Sequence, residues 1–116
     1  ALSSAASAVY KRQQFEKADF AIGSLGRHRS GITYIKTLKN REYAARGLSF
    51  TYSETDEDFD RMPYVWKVPP DESPIDICGL INFQRSQQMS PPEIRETVRA
   101  LSWTAQMRKV IHETEI

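Results

Sequence analysis

Apolar and polar positions follow helical spacing most clearly near the end of this chain. Ser90-Pro91-Pro92-Glu93 places a hydroxyl, prolines in the first turn and a carboxylate three residues on, the signature of a capped helix start. The pattern that follows predicts one long helix over 91–112. On it Ile94, Val98, Leu101 and Ala105 form one apolar stripe, and Ala100, Trp103, Met107, Val110 and Ile111 form a second, with Arg95, Arg99, Ser102, Gln106 and Lys109 between them. A helix apolar on two sides needs two covers. A chain this short has few elements to supply both, so one stripe is expected to dock on a partner.

Residues 48–53 change the rhythm to strict alternation, with Leu48, Phe50 and Tyr52 on one side and Ser49, Thr51 and Ser53 on the other, the pattern of a half-buried strand. Met62, Tyr64, Trp66 and Val68 repeat it, but Pro63 confines this segment to an edge strand or an extended run outside a sheet. The pair reads as a hairpin with a long loop, or the second member as an extended arm laid across a partner.

Upstream, Ser30 is placed to cap a helix through Ile32, Ile35, Leu38 and Ala45, ended by Arg46, a left-handed Gly47 and Leu48 packing back. The stretch from Ile32 to Ile35 fits a strand as well. Residues 3–20 have helical composition but a poor apolar stripe: Leu2, Ala6, Val9, Gln13 and Phe20 fall on one side, Phe15, Ala18 and Ile22 on another. Ser73 and Pro74 can open a short helix, while Ile75, Ile77, Ile81 and Phe83 fit a strand equally, so 75–84 stays open.

These elements predict a mainly α fold with a short extended or β-hairpin-like segment: a small single domain with extended arms and a long C-terminal amphipathic helix. Its parts are a basic N-terminal segment (1–29), a helix plus short strand (30–53), an acidic loop with a Pro- and aromatic-rich arm (54–74) and a helical C-terminal part (75–116). At 116 residues the chain has room for one core. The longest mostly apolar run, 75–83, falls far short of the roughly 20 residues that span a bilayer, so no transmembrane segment is expected.

Charge alters this picture. The net +1 conceals nine basic and three acidic residues in 1–53, two basic and eight acidic in 54–76, and five basic and four acidic in 77–116. Either the acidic block folds back on the basic one, or the two face different partners, an anionic surface and a basic subunit. The pI of 8.1 is lower than the value above about 9 usual for a nucleic-acid-binding domain. The lone Cys78 rules out an internal disulfide, suits a reducing compartment, and in its apolar surroundings reads as a buried small hydrophobe. The Ala/Ser-rich opening carries Lys11 and Arg12 before its first acid, Glu16, a composition that favours a mitochondrial address, in the matrix or peripheral to the inner membrane.

Candidate chemistry reduces to near-misses. Gly26 to Thr33 has phosphate-loop glycine spacing, but Ile32 stands where lysine is needed. Arg27, His28 and Arg29 remain as a candidate anion or phosphate contact. Asp56, Asp58 and Asp60 have calcium-loop spacing, but Arg61 replaces the glycine and Lys67 the closing carboxylate. His28 and His112 lack the neighbour a helical zinc site needs. No cofactor or metal is implied, and no enzyme.

The expectation is a non-catalytic accessory or structural subunit of a large mitochondrial complex, of the respiratory chain or ATP synthase, acting through contacts with other protein subunits. The candidate contact residues are Tyr64, Trp66, Ile94, Val98, Leu101, Trp103, Met107, Val110 and Ile111. The alternative is an RNA-contacting subunit of a mitochondrial ribosome or other ribonucleoprotein, with Arg27, Arg29, Lys36, Lys39, Arg41 and Arg46 on phosphates. Anionic lipid headgroups are a further contact for the basic half.

Overall fold

A computed structural model describes residues 2–114, with side chains for 6–102 and 104–112. In chain order the elements are α1 (Leu2–Lys17), β1 (Phe20–Ile22), a 3-10 turn (Arg27–Ser30), α2 (Leu38–Ala45), β2 (Ser49–Tyr52), β3 (Val65–Lys67), α3 (Ile77–Ser86), α4 (Pro91–Thr97), a second 3-10 turn (Arg99–Leu101) and α5 (Trp103–Thr114). The fold is mainly helical with a small sheet. The sheet is not a hairpin: β1, β2 and β3 lie side by side and run parallel. Parallel neighbours need a crossover of about a dozen residues or more. The acidic loop between β2 and β3 supplies one, and its length is why the hairpin reading fails.

The register sets two faces. Phe20 pairs with Ser49, Ile22 with Thr51, and Thr51 with Trp66, so these share one side; Ala21, Phe50 and Val65 share the other. α3 covers the first side through Phe83, whose ring meets Phe20 edge-on at 6.4 Å and stacks on Trp66 at 6.4 Å. The second side holds the core, which includes Ala44 of α2 and Ile94 of α4. All four residues of β2 are therefore buried, not the alternate ones expected. A parallel strand covered on both sides loses its polar face to packing.

Phe50 is the hub, fully buried and in ring contact with Tyr43 (5.7 Å), Tyr52 (5.8 Å), Phe59 (5.4 Å) and Tyr64 (5.9 Å).

Three helix expectations need correction. The first concerns Ser30, which ends the 3-10 turn instead of opening a helix. α2 starts only at Leu38, where the Thr37 hydroxyl accepts from the Asn40 amide. The β-branched stretch before it is extended, with Tyr34 bridging Thr55. Its end is as anticipated: Gly47 has φ +76° and the Leu48 amide donates to the Tyr43 carbonyl at 3.0 Å. The second concerns the open segment 75–84, which holds a helix capped by Asp76 rather than Ser73, with the Gly79 amide on Asp76 at 2.9 Å. Cys78 on it is exposed, not buried.

The third correction is the long C-terminal helix. Its capping box forms as expected, but the helix stops at Thr97 and resumes at Trp103. The Thr97 hydroxyl bonds the Ile94 carbonyl at 2.6 Å and the Tyr64 hydroxyl at 2.7 Å, and Ser102 turns extended to accept from the Ala105 amide. Such local bonds compete with helix continuation. The break divides the apolar residues: Ile94, Val98 and Leu101 turn to the core, and α5 carries Met107, Val110 and Ile111 exposed.

Gly47 carries a specific prediction. A Cβ there would lie 2.7 Å from the Pro91 Cβ and 2.8 Å from its carbonyl oxygen, while Gly26 has open space around it. Gly47→Ala should cost at least about 2 kcal/mol in urea unfolding, and Gly26→Ala should stay within about 0.5 kcal/mol of the parent.

Candidate functional site

Polar chemistry collects beyond the carboxyl ends of the three strands, where the chain leaves each strand and backbone groups are no longer paired within the sheet. Two zones lie there. The first is a buried charge network between α2 and the acidic loop. Asn40 and Arg41 point from α2; Glu54, Asp56, Asp58 and Asp60 follow β2; Lys67 ends β3.

Asn40, Glu54 and Asp56 are almost wholly buried. The Asn40 amide nitrogen donates to Asp56 at 3.2 Å and Glu54 at 3.4 Å. Arg41 reaches Asp56 at 3.1 Å, pairs closely with Asp58, and lies 5.3 Å from the Phe59 ring centre. Burial works against the Arg41 cation, but the two aspartates outweigh it and its pKa is raised. Lys67 pairs with Asp60 at 2.9 Å and also donates to the Glu54 carbonyl.

Tyr52 donates to Asp60 at 2.6 Å. Burial first, then the bond to Asp60, push the Tyr52 phenol strongly upward. For Asp60 burial pulls upward, but the Tyr52 hydroxyl, Lys67 and the Asp56 amide outweigh it and lower its pKa. Among the described residues, the Asn40 amide oxygen and one Glu54 oxygen are buried without a hydrogen-bond donor.

The second zone is a groove of about 560 Å³ that runs from the chain after β1 to the chain after β3. Leu25, Val68, Pro69, Pro74, Ile75 and Trp66 supply its apolar wall. At its polar end Arg29 grips Glu72 with two bonds of 2.6 Å, and His28 meets the same carboxylate at 3.0 Å. Arg29 first, then His28, hold the Glu72 carboxyl down to about 2, and Glu72 raises the Arg29 pKa in return.

The sequence-predicted residues divide sharply. Tyr64 and Ile94 are buried in the core and so offer no partner surface, while Val98 and Leu101 are half-buried against it. Trp66 lines the groove, half-buried against Phe83. Met107, Val110 and Ile111 on α5 are 51%, 54% and 54% exposed, and the Trp103 side chain lies outside the described residues. His28 and Arg29 do meet an anion, but it is Glu72 of the same chain. Arg27 has no ionic partner among the described residues.

The acidic block folds back on the basic one. Lys36 faces Asp58, Arg41 faces Asp56 and Asp58, and Arg29 faces Glu72. The would-be calcium ligands are thus held by Arg41, Lys36, Lys67 and Tyr52. Among the described residues no three His, Cys, Asp or Glu groups converge as a metal site. Sequence reasoning missed Asn40, Glu54, Lys67 and Glu72 as members of these zones. The opposed charge of neighbouring blocks was the available signal, but it names no pairs.

Tyr52 and Asp60 make stability depend on pH at both ends. The raised Tyr52 contributes stability present below its unfolded pKa of about 10 and lost as pH rises beyond it. The lowered Asp60 contributes stability present above about 3.9 and lost as pH falls through its folded value. Tyr52→Phe should therefore flatten the alkaline decline of the urea midpoint while costing about 1 kcal/mol at neutral pH. Asp56→Ala, which leaves Arg41 short of a buried partner, should cost about 3 kcal/mol by the same assay.

No family model matches the chain, and neither a curated protein nor a solved structure matches it.

Proposed function

We propose that this chain is a non-catalytic accessory subunit of a large protein assembly, acting through protein–protein contacts. The observation that carries this reading is surface. The chain has 8372 Å² of solvent-accessible area, whereas a compact monomer of 13.3 kDa exposes about 6,500 Å². The excess, roughly 1,900 Å², is more than twice the ~800 Å² that one partner contributes to a standard interface. Its radius of gyration of 16.2 Å agrees, against about 13 Å for a compact chain of this length.

Three helices carry long exposed stretches. Residues 6–17 of α1 are exposed apart from Phe15, and so are residues 104–112 of α5 apart from Ala105. On α3, Leu80 and Phe83 are half-buried while Ile77 and Ile81 face outward. These apolar positions form one broad sector of α3, of which the sheet covers only the Leu80 and Phe83 part, leaving Ile77 and Ile81 for a second body. The acid-poor composition of α1 favours a mitochondrial assembly, such as a respiratory-chain or ATP-synthase complex. RNA contact is the weaker reading, because Arg29, Lys36, Arg41 and Arg46 each already face a carboxylate.

Sedimentation of the endogenous protein tests this: it should travel with a much larger particle, and a species no larger than the chain would contradict it. Ile81→Asp and Met107→Asp should leave unfolding stability within about 0.5 kcal/mol yet release the chain from that particle. Retention of both variants would remove these surfaces from the interface.

A further inference from the structure

We infer that the groove at the carboxyl ends of the strands is a binding site for a small organic anion, a carboxylate attached to a flat apolar body, with Glu72 holding the anion position until the ligand displaces it. The groove's volume of about 560 Å³ falls within the roughly 300–1,000 Å³ of small-molecule sites.

The polar groups decide the charge of the ligand. Three carboxylates line the groove, but two are engaged in their own turns: Asp71 accepts from the Ser73 amide at 2.8 Å, and Asp76 from the Gly79 amide at 2.9 Å. Lys67 is held by Asp60. That leaves Arg29 and His28, which converge on a single point now filled by the Glu72 carboxylate. A planar guanidinium gripping both carboxylate oxygens is a geometry that recognises carboxylates in general. The wall beyond that point is Trp66, Val68, Pro69, Pro74 and Ile75, which fits an apolar body.

Glu72 is suited to exchange. Its side chain is 64% exposed and belongs to no part of the core. Among the described residues, no backbone hydrogen bond ties residues 69–75 to the rest of the chain. An incoming carboxylate can therefore replace it while the sheet and the buried network stay intact. Because Glu72 is tethered beside the site, it competes as an internal ligand and lowers the apparent affinity by the fraction of time it is seated.

Phenylacetate is a suitable probe, with phenylacetamide as its neutral counterpart and inorganic phosphate as an anion without an apolar body. By calorimetry, Glu72→Gln should bind phenylacetate at least about tenfold tighter than the parent chain, and adding Arg29→Gln should abolish that gain. Phenylacetamide should fail to bind, phosphate should bind at least about tenfold more weakly than phenylacetate, and amide shifts should be confined to residues 25–29 and 66–76. In the parent chain, saturating phenylacetate should move the Glu72 carboxyl carbon resonance to that of a free glutamate, which needs no variant.

Equal affinity with and without Glu72, equal binding of the amide or of phosphate, shifts elsewhere, or an unmoved Glu72 resonance would each overturn the assignment. None of these results bears on the subunit reading, which concerns α1, α3 and α5.

Discussion

The burial of β2 on both sides, with the Phe50 ring at its centre, is the constraint on which the rest of this fold depends. The ring touches four other aromatic rings contributed by α2, β2, the acidic loop and the approach to β3. Each of those segments must therefore converge on one strand. Removing a fully buried Phe side chain typically costs about 3–5 kcal/mol, a large part of the stability of a domain this size. β1 and β3 flank β2, and the α2 and α4 layer closes over it. The polar zones stand where they do because the three strands all end on the same side.

Parallel pairing has a second consequence. It forces the acidic loop to cross over the sheet instead of turning back, and this carries Asp56, Asp58 and Asp60 to Arg41, Lys36 and Lys67. Charges that look in sequence like two surfaces for two partners mostly answer each other. What remains for a partner is exposed and helical: residues 6–17 of α1, the outer side of α3 with Ile77 and Ile81, and α5 beyond its break. The groove adjoins α3 at its cap, Asp76, and holds the exposed Glu72 at its polar end.

The legible parts of the sequence were those set by local chemistry. Ser90 and Glu93 announced the start of α4, Gly47 the end of α2, and the alternation of 48–53 the central strand. The illegible parts were set by contacts between distant residues. Nothing local says that 62–68 pairs parallel to 48–53 and not as a hairpin. At the break after Thr97 the Thr97 hydroxyl meets Tyr64, thirty-three positions away. The two stripes expected along one helix over 91–112 do not run through, because the chain there forms two shorter helices with different surroundings. For the site, opposed charge blocks foretold neutralisation, whereas the pairing of Glu72 with Arg29 and His28 required the fold.

Hydrogen–deuterium exchange on the chain alone and within its native assembly would test the account most directly. Exchange should slow in the assembly at residues 6–17 of α1, 77–81 of α3 and 104–112 of α5, while β2, already buried in the isolated chain, stays unchanged. Equal exchange of those three helices in both states would contradict the claim that their exposed surface is what the protein uses.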